Sequence, residues 1–128
     1  MTDLLNNKIL VVEDDIDNLE YFKRLLLIKG ADVIYAKTGE EAIDIVKKDD
    51  SIRLVLMDIL LPGMDGLETT KQLKKLNPRL PIIAQTAYAM QNDKEKCINA
   101  GCDDYVSKPI DTNLLILKMK HLLQIYFS

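Results

Sequence analysis

The sequence predicts an α/β fold: a doubly wound, five-stranded parallel sheet in the order 2-1-3-4-5, with five helices on its two faces. Three observations predict it. Short apolar runs rich in β-branched residues recur along the chain, and their lack of polar alternation suits strands covered on both sides. Stretches with apolar residues at helical spacing separate these runs, the alternation that builds βαβ units. Five such pairs fit into 128 residues, whereas a (β/α)8 barrel needs roughly twice that length.

The first run is Ile9-Leu10-Val11-Val12, although four such residues alone could equally be helical. Residues 17–29 place Leu19, Phe22, Leu25 and Leu26 on one helical face, and Gly30 stands where a helix ends. Val33-Ile34-Tyr35 is the second strand. Thr38-Gly39-Glu40-Glu41 is a capping box: the Thr38 hydroxyl bonds the amide of the third helical residue while Glu41 reaches back. Ala42, Ile43 and Val46 form the stripe of that helix. Leu54-Val55-Leu56-Met57 runs into Asp58, and Pro62-Gly63-Met64-Asp65-Gly66 is loop chemistry. Leu67, Leu73 and Leu76 mark a third helix, closed by Asn77-Pro78. Pro81-Ile82-Ile83-Ala84 is the fourth strand. Asn92 with Glu95 opens a helix that stops at Gly101. Asp104-Tyr105-Val106 is a short fifth strand, and Asp111 caps a last helix over about 112–126.

Lys and Arg number 17 against 20 Asp and Glu, a net charge of −3. A nucleic-acid binder working through general electrostatics wants the opposite sign, so no direct nucleic-acid partner is expected. No apolar run approaches the ~20 residues that span a bilayer. Met1-Thr2-Asp3-Leu4-Leu5 lacks the basic and apolar regions of a secretory leader. No membrane association is therefore expected, and a cytoplasmic location is the default. At 48% hydrophobic and 29% charged, the chain reads as a single domain over 1–128 with its core about 7–126. Cys97 and Cys102 make no disulfide framework and read as small buried hydrophobes.

In open sheets of this kind, ligands bind outside the carboxyl ends of the strands near the switch in strand order. After the first strand come Glu13, Asp14 and Asp15; after the third, Asp58; after the fourth, Thr86 and Ala87; after the fifth, Lys108 and Pro109. The strand order sets Asp14 and Asp58 across the crevice, with Thr86 and Lys108 along its far wall. Crowded carboxylates repel one another, and a proton or a cation must join them. A hard dication such as Mg²⁺ answers this, taking oxygen ligands and keeping several waters, with Mn²⁺ a possible substitute. A carboxylate can also attack phosphorus, and phosphoryl transfer needs mainly positioning and neutralised charge. The constellation reads as an aspartate that accepts a phosphoryl group.

Four segments then carry a resemblance: Glu13-Asp14-Asp15, Met57-Asp58-Ile59-Leu60-Leu61-Pro62-Gly63-Met64-Asp65-Gly66, Thr86-Ala87-Tyr88-Ala89-Met90 and Tyr105-Val106-Ser107-Lys108-Pro109. In this order, each at a strand end, they resemble the receiver (CheY-like) domain of two-component response regulators over roughly 7–126. The Thr-Ala-Tyr-Ala-Met stretch is similar to receivers of hybrid histidine kinases and phosphorelays. The resemblance implies that Asp58 is the phosphoacceptor, charged from the phosphohistidine of a histidine kinase or histidine-phosphotransfer domain. It implies that Asp14 ligates Mg²⁺ directly and Glu13 helps through water, with Asp58 and the Leu60 carbonyl completing the protein ligands. Lys108 and Thr86 would bond phosphoryl oxygens, and the Ala87 N–H would offer another donor. Thr86 would move inward on phosphorylation and Tyr105 would change rotamer with it, altering a surface that a downstream protein reads. The Lys108–Pro109 bond would be cis. A phosphorylation-linked dimer through the fourth and fifth helices is a further implication. Such a chain is no ordinary enzyme but catalyses its own phosphorylation and dephosphorylation at Asp58.

Each residue alone has a plainer reading. Asp15 is a helix N-cap. A lone Asp58 is a turn aspartate, a lone Thr86 a strand-end hydroxyl, a lone Lys108 solvated surface, and a lone Tyr105 packed core with a wet hydroxyl. Their joint placement moves the balance. His121 is an ordinary surface residue with no phosphotransfer role. In the last helix, Leu115, Met119, Leu122 and Tyr126 make a core stripe and leave Leu114, Leu117 and Ile125 over, either as a partner surface or as a wide core arc. Leu60 and Tyr88 occupy the two positions that, in the family, neighbour the path of the hydrolytic water. An apolar branch and a bulky ring there predict a long-lived aspartyl phosphate. Leu61 and Gln85 read as tolerated packing changes.

Rival functions fit less well. A flavodoxin-type carrier needs a phosphate cradle after the first strand, where Glu13-Asp14-Asp15 would repel it. A haloacid-dehalogenase-type phosphatase needs Asp-x-Asp-x-Thr, which is missing after Asp58. A phosphorylation-independent, receiver-like interaction module is the remaining alternative, against which intact Asp58, Thr86 and Lys108 argue.

Overall fold

The computed structural model of the chain describes residues 4–87 and 91–127. Its strands are β1 (Lys8–Val12), β2 (Asp32–Ala36), β3 (Leu54–Asp58), β4 (Ile82–Thr86) and β5 (Asp104–Ser107). They pair in parallel in the order β2-β1-β3-β4-β5. The helices are α1 (Ile16–Ile28), α2 (Gly39–Lys48), α3 (Gly66–Leu76), α4 (Gln91–Ala100) and α5 (Thr112–Phe127). This is the doubly wound layout that the alternating runs predict.

Alternation along the strands divides the core in two. Ile9, Val11, Leu54, Leu56, Ile83 and Val106 pack with Leu19, Phe22 and Leu26 of α1 and Leu115, Met119 and Leu122 of α5. Leu10, Val12, Val55, Met57, Ile82 and Ala84 face the other way, against Ala42 and Ile43 of α2 and Leu73 of α3. β3 is buried at all its positions, because helices cover both of its faces, and this erases the polar alternation an exposed strand would show.

The caps follow the sequence closely. Asp15 accepts from the Asp17 and Asn18 N–H groups at the start of α1, and Asp111 from Leu114 N–H at the start of α5. Thr38 Oγ1 accepts from Glu41 N–H at 3.1 Å, but the returning Glu41 carboxylate takes the Lys37 N–H, one residue before the cap. At the end of α4, Gly101 adopts φ 107°, and the Cys102 N–H reaches the Cys97 carbonyl at 2.9 Å. This six-to-one closure brings residues 97 and 102 together, and both cysteines are buried.

Two expectations need correction. Leu76 is 45% exposed, and the inner face of α3 is completed instead by Thr69 and Thr70, both fully buried. Thr69 achieves this by donating its hydroxyl to the Asp65 carbonyl at 2.8 Å, so the polar group is satisfied locally. α4 begins at Gln91, so Asn92 stands inside its first turn rather than at its cap. In α5, Leu114, Leu117 and Ile125 are exposed, while Ile116 and Leu123 join the buried stripe.

Candidate functional site

The switch in strand order lies between β1 and β3, and their carboxyl ends deliver Glu13, Asp14 and Asp58 to one place. Glu13, Asp14 and Asp58 each offer a carboxylate oxygen, and these oxygens all lie within 4.8 Å of one another. Glu13 and Asp58 are buried, at 1% and 3% exposure, whereas Asp14 is exposed. The set is all oxygen, anionic, and open on one side. It fits a hard dication that keeps part of its water shell, and it does not fit a soft metal.

Local structure fixes each carboxylate. Asp58 Oδ1 accepts the Leu60 N–H at 3.0 Å, and Oδ2 lies 3.7 Å from Lys108 Nζ. The loop after Asp58 is tied down by the Ile59 N–H to the Gln85 carbonyl and the Gly66 N–H back to the Ile59 carbonyl. Glu13 Oε2 accepts the Asp15 N–H at 3.2 Å. Burial, reinforced by the hydrogen bond with Asp58, pushes the Glu13 carboxyl up to about 7.

β4 and β5 supply the other wall. Thr86 pairs in register with Ser107, and the Lys108 N–H donates to the Thr86 carbonyl at 2.8 Å. Thr86 is buried, and Ala87 beyond it is exposed. The Lys108–Pro109 bond is cis. Tyr105 is half-buried against the α2/α3 side of the core. Two ammonium groups lie over its ring, Lys118 Nζ at 5.0 Å and Lys94 Nζ at 5.6 Å from its centroid. Leu60 is 65% exposed beside the acidic cluster. Tyr88 falls outside the described residues. His121 is exposed on α5, away from the strand ends.

One residue of the site escaped the sequence reading. Gln85, read there as a packing change, is fully buried, and its Nε2 donates to Glu13 Oε1 at 3.2 Å. The available signal was its place directly after the apolar run Ile82-Ile83-Ala84: a polar side chain that continues a buried strand must find a partner.

A sequence model of the response regulator receiver domain matches residues 9–120. The chain belongs to the response regulator receiver family. The polar-differentiation response regulator DivK of Brucella ovis is 37% identical over 121 residues, 93% of this chain and 98% of that protein. Hybrid signal transduction histidine kinase I of Dictyostelium discoideum is 42% identical over 120 residues, 88% of this chain but 7% of that protein. The receiver also spans only 31% to 50% of some other curated relatives. Among solved structures, the co-crystal of the Saccharomyces cerevisiae histidine phosphotransfer signaling protein Ypd1 with the receiver domain of Ssk1 superposes with a TM-score of 0.88 at 28% identity. It covers 98% of this chain and 95% of that one. The function class is thus that of a receiver in two-component or phosphorelay signalling, and the comparisons do not favour the phosphorylation-independent alternative. No helix among the described residues is long and apolar enough to cross a membrane.

Proposed function

We propose that this receiver takes a phosphoryl group from a phosphohistidine onto Asp58, with Mg²⁺ at Glu13, Asp14 and Asp58. The observation that carries this is the pairing of Lys108 Nζ with Asp58 Oδ2 at 3.7 Å on the rim of the three-carboxylate cluster. A phosphoryl group arriving at Asp58 meets an ammonium on one side and a cation seat on the other. An Asp58 oxygen attacks phosphorus in line; the P–N bond breaks, and its electron pair leaves with the imidazole nitrogen. Mg²⁺, when bound, neutralises the phosphoryl oxygens. Lys108 and Thr86 take the remaining oxygens, the Ala87 N–H assists, and the Leu60 carbonyl completes the protein's ligands to the cation.

The phosphodonor is a histidine-phosphotransfer or kinase domain, and the response is an inward move of Thr86 followed by Tyr105. Detaching Tyr105 from Lys94 and Lys118 would change the α4–β5–α5 face, and Leu114 and Ile125 stand exposed on the same side of α5 as Lys118. A downstream protein, or a second copy of the chain, reads that face in the cytoplasm. No direct contact with nucleic acid is part of this function. Autodephosphorylation at Asp58 resets the switch, and the whole reading treats 1–128 as a single domain.

The test is incubation with acetyl phosphate or beryllofluoride and Mg²⁺, read by intact mass and by spectral change. Labelling of the natural sequence and none of Asp58→Ala is expected. Absence of any adduct on the natural sequence with the metal present would sink the proposal.

A further inference from the structure

Gln85 pairs in register with Asp58 across β3 and β4, and its side chain reaches Glu13 on β1's far end. Two donors therefore hold the Glu13 carboxylate, Gln85 Nε2 on one oxygen and the Asp15 N–H on the other, each at 3.2 Å. A glutamate has enough rotatable bonds to point its carboxylate many ways; a donor on each oxygen fixes both its direction and its plane. The arrangement has a cost. Gln85 is fully buried, yet its Oε1 has no hydrogen-bond partner among the described residues. An apolar residue of similar length would avoid that unmatched acceptor, so packing alone does not account for an amide here.

We propose that Gln85 is a positioning residue for the cation: its amide holds Glu13 in the orientation that the metal's water shell meets. This rests on the assignment of Glu13, Asp14 and Asp58 as the Mg²⁺ seat. Outer-shell hydrogen bonds of this kind govern metal affinity because they fix the ligand before the ion arrives. Gln85 also lines a groove of about 270 Å³ between Tyr21 and Phe22 of α1 and the Lys108–Pro109–Ile110 segment. A role confined to that groove is the competing explanation that the experiment must separate.

Gln85→Met keeps the length and removes the donor; Gln85→Leu is the second variant should the first not fold. Mg²⁺ is titrated calorimetrically into each protein with no phosphodonor present. Separately, the rate of labelling by acetyl phosphate is followed against Mg²⁺ concentration. The dissociation constant is expected to rise about tenfold in the variants, the low end for lost outer-shell partners. The Mg²⁺ needed for half-maximal labelling rises in step, while the rate at saturating Mg²⁺ stays level. Equal affinity in natural and variant proteins overturns the inference, and a loss of labelling at saturating Mg²⁺ assigns Gln85 to the groove and overturns it too. Failure of the natural sequence to bind Mg²⁺ overturns the assignment of the seat itself, a separate result.

Discussion

Gly66 packs against the backbone of Asp58 with no room for a side chain between them. A Cβ on residue 66 would lie 2.2 Å from the Asp58 carbonyl oxygen and 2.7 Å from the Ile59 Cα. Both are backbone atoms of the reactive loop, so relief requires that loop to move. Gly66→Ala is expected to destabilise the fold by about 2 kcal/mol, as overpacking does, and to abolish labelling at Asp58. Urea unfolding and acetyl phosphate labelling check the two effects.

Asp103 ties the amino ends of β4 and β5 to α3 and α5. It accepts from Lys74 Nζ at 2.7 Å, the Ile82 N–H at 2.8 Å and the Tyr126 hydroxyl at 2.7 Å. Removing the acceptor strands an ammonium and a backbone donor, so Asp103→Ala should cost about 3 kcal/mol, while Tyr126→Phe costs about 1. Both lie at the opposite end of the sheet from Asp58, so labelling rates should hold. Denaturant unfolding of the single and double variants, with the coupling read from the cycle, checks this.

The acidic pocket predicts a pH dependence of definite sign. Burial and the Asp58 hydrogen bond raise the folded-state Glu13 value from 4.5 to about 7. Between those values the folded protein holds a proton that the unfolded chain releases. In the absence of metal this group therefore favours folding most below about 4.5, and its contribution falls as pH rises through about 7. A bound cation needs the ionised carboxylate, so Mg²⁺ affinity should weaken as pH falls below about 7. Urea midpoints in chelator and Mg²⁺ titrations across this range test both trends, and Glu13→Gln should flatten the first.

Leu60 stands exposed two residues past Asp58 and cannot orient water. Leu60→Asn supplies an amide at that place and should shorten the aspartyl phosphate lifetime severalfold. Decay of the labelled protein after removal of the donor is the measurement; loss within seconds from the natural sequence would contradict the premise that Leu60 hinders hydrolysis.

The strands, their order and the acidic triad were legible because burial on both sheet faces leaves a plain apolar run with its functional residue at the end. Boundaries were less so. Leu76 looked buried because spacing alone cannot say which arc of α3 meets the sheet, and Thr69 hid its burial behind a hydroxyl that bonds locally, Thr70 behind one that meets the Cys102 thiol 32 residues away. Gln85 was misread for a related reason: its partner Glu13 is 72 residues away, and only the register of three strands brings them together. The Lys94–Tyr105–Lys118 stack was equally invisible, since it joins three elements whose helical phase the sequence does not state.

The turn that ends α4 has a practical outcome. It seals sulfurs 97 and 102 inside the molecule, and burial pushes the Cys102 thiol up to about 12. Both should react slowly with a water-borne alkylating reagent until the segment opens. The molecule thus carries its own clock for local unfolding, readable by thiol capture without adding any label.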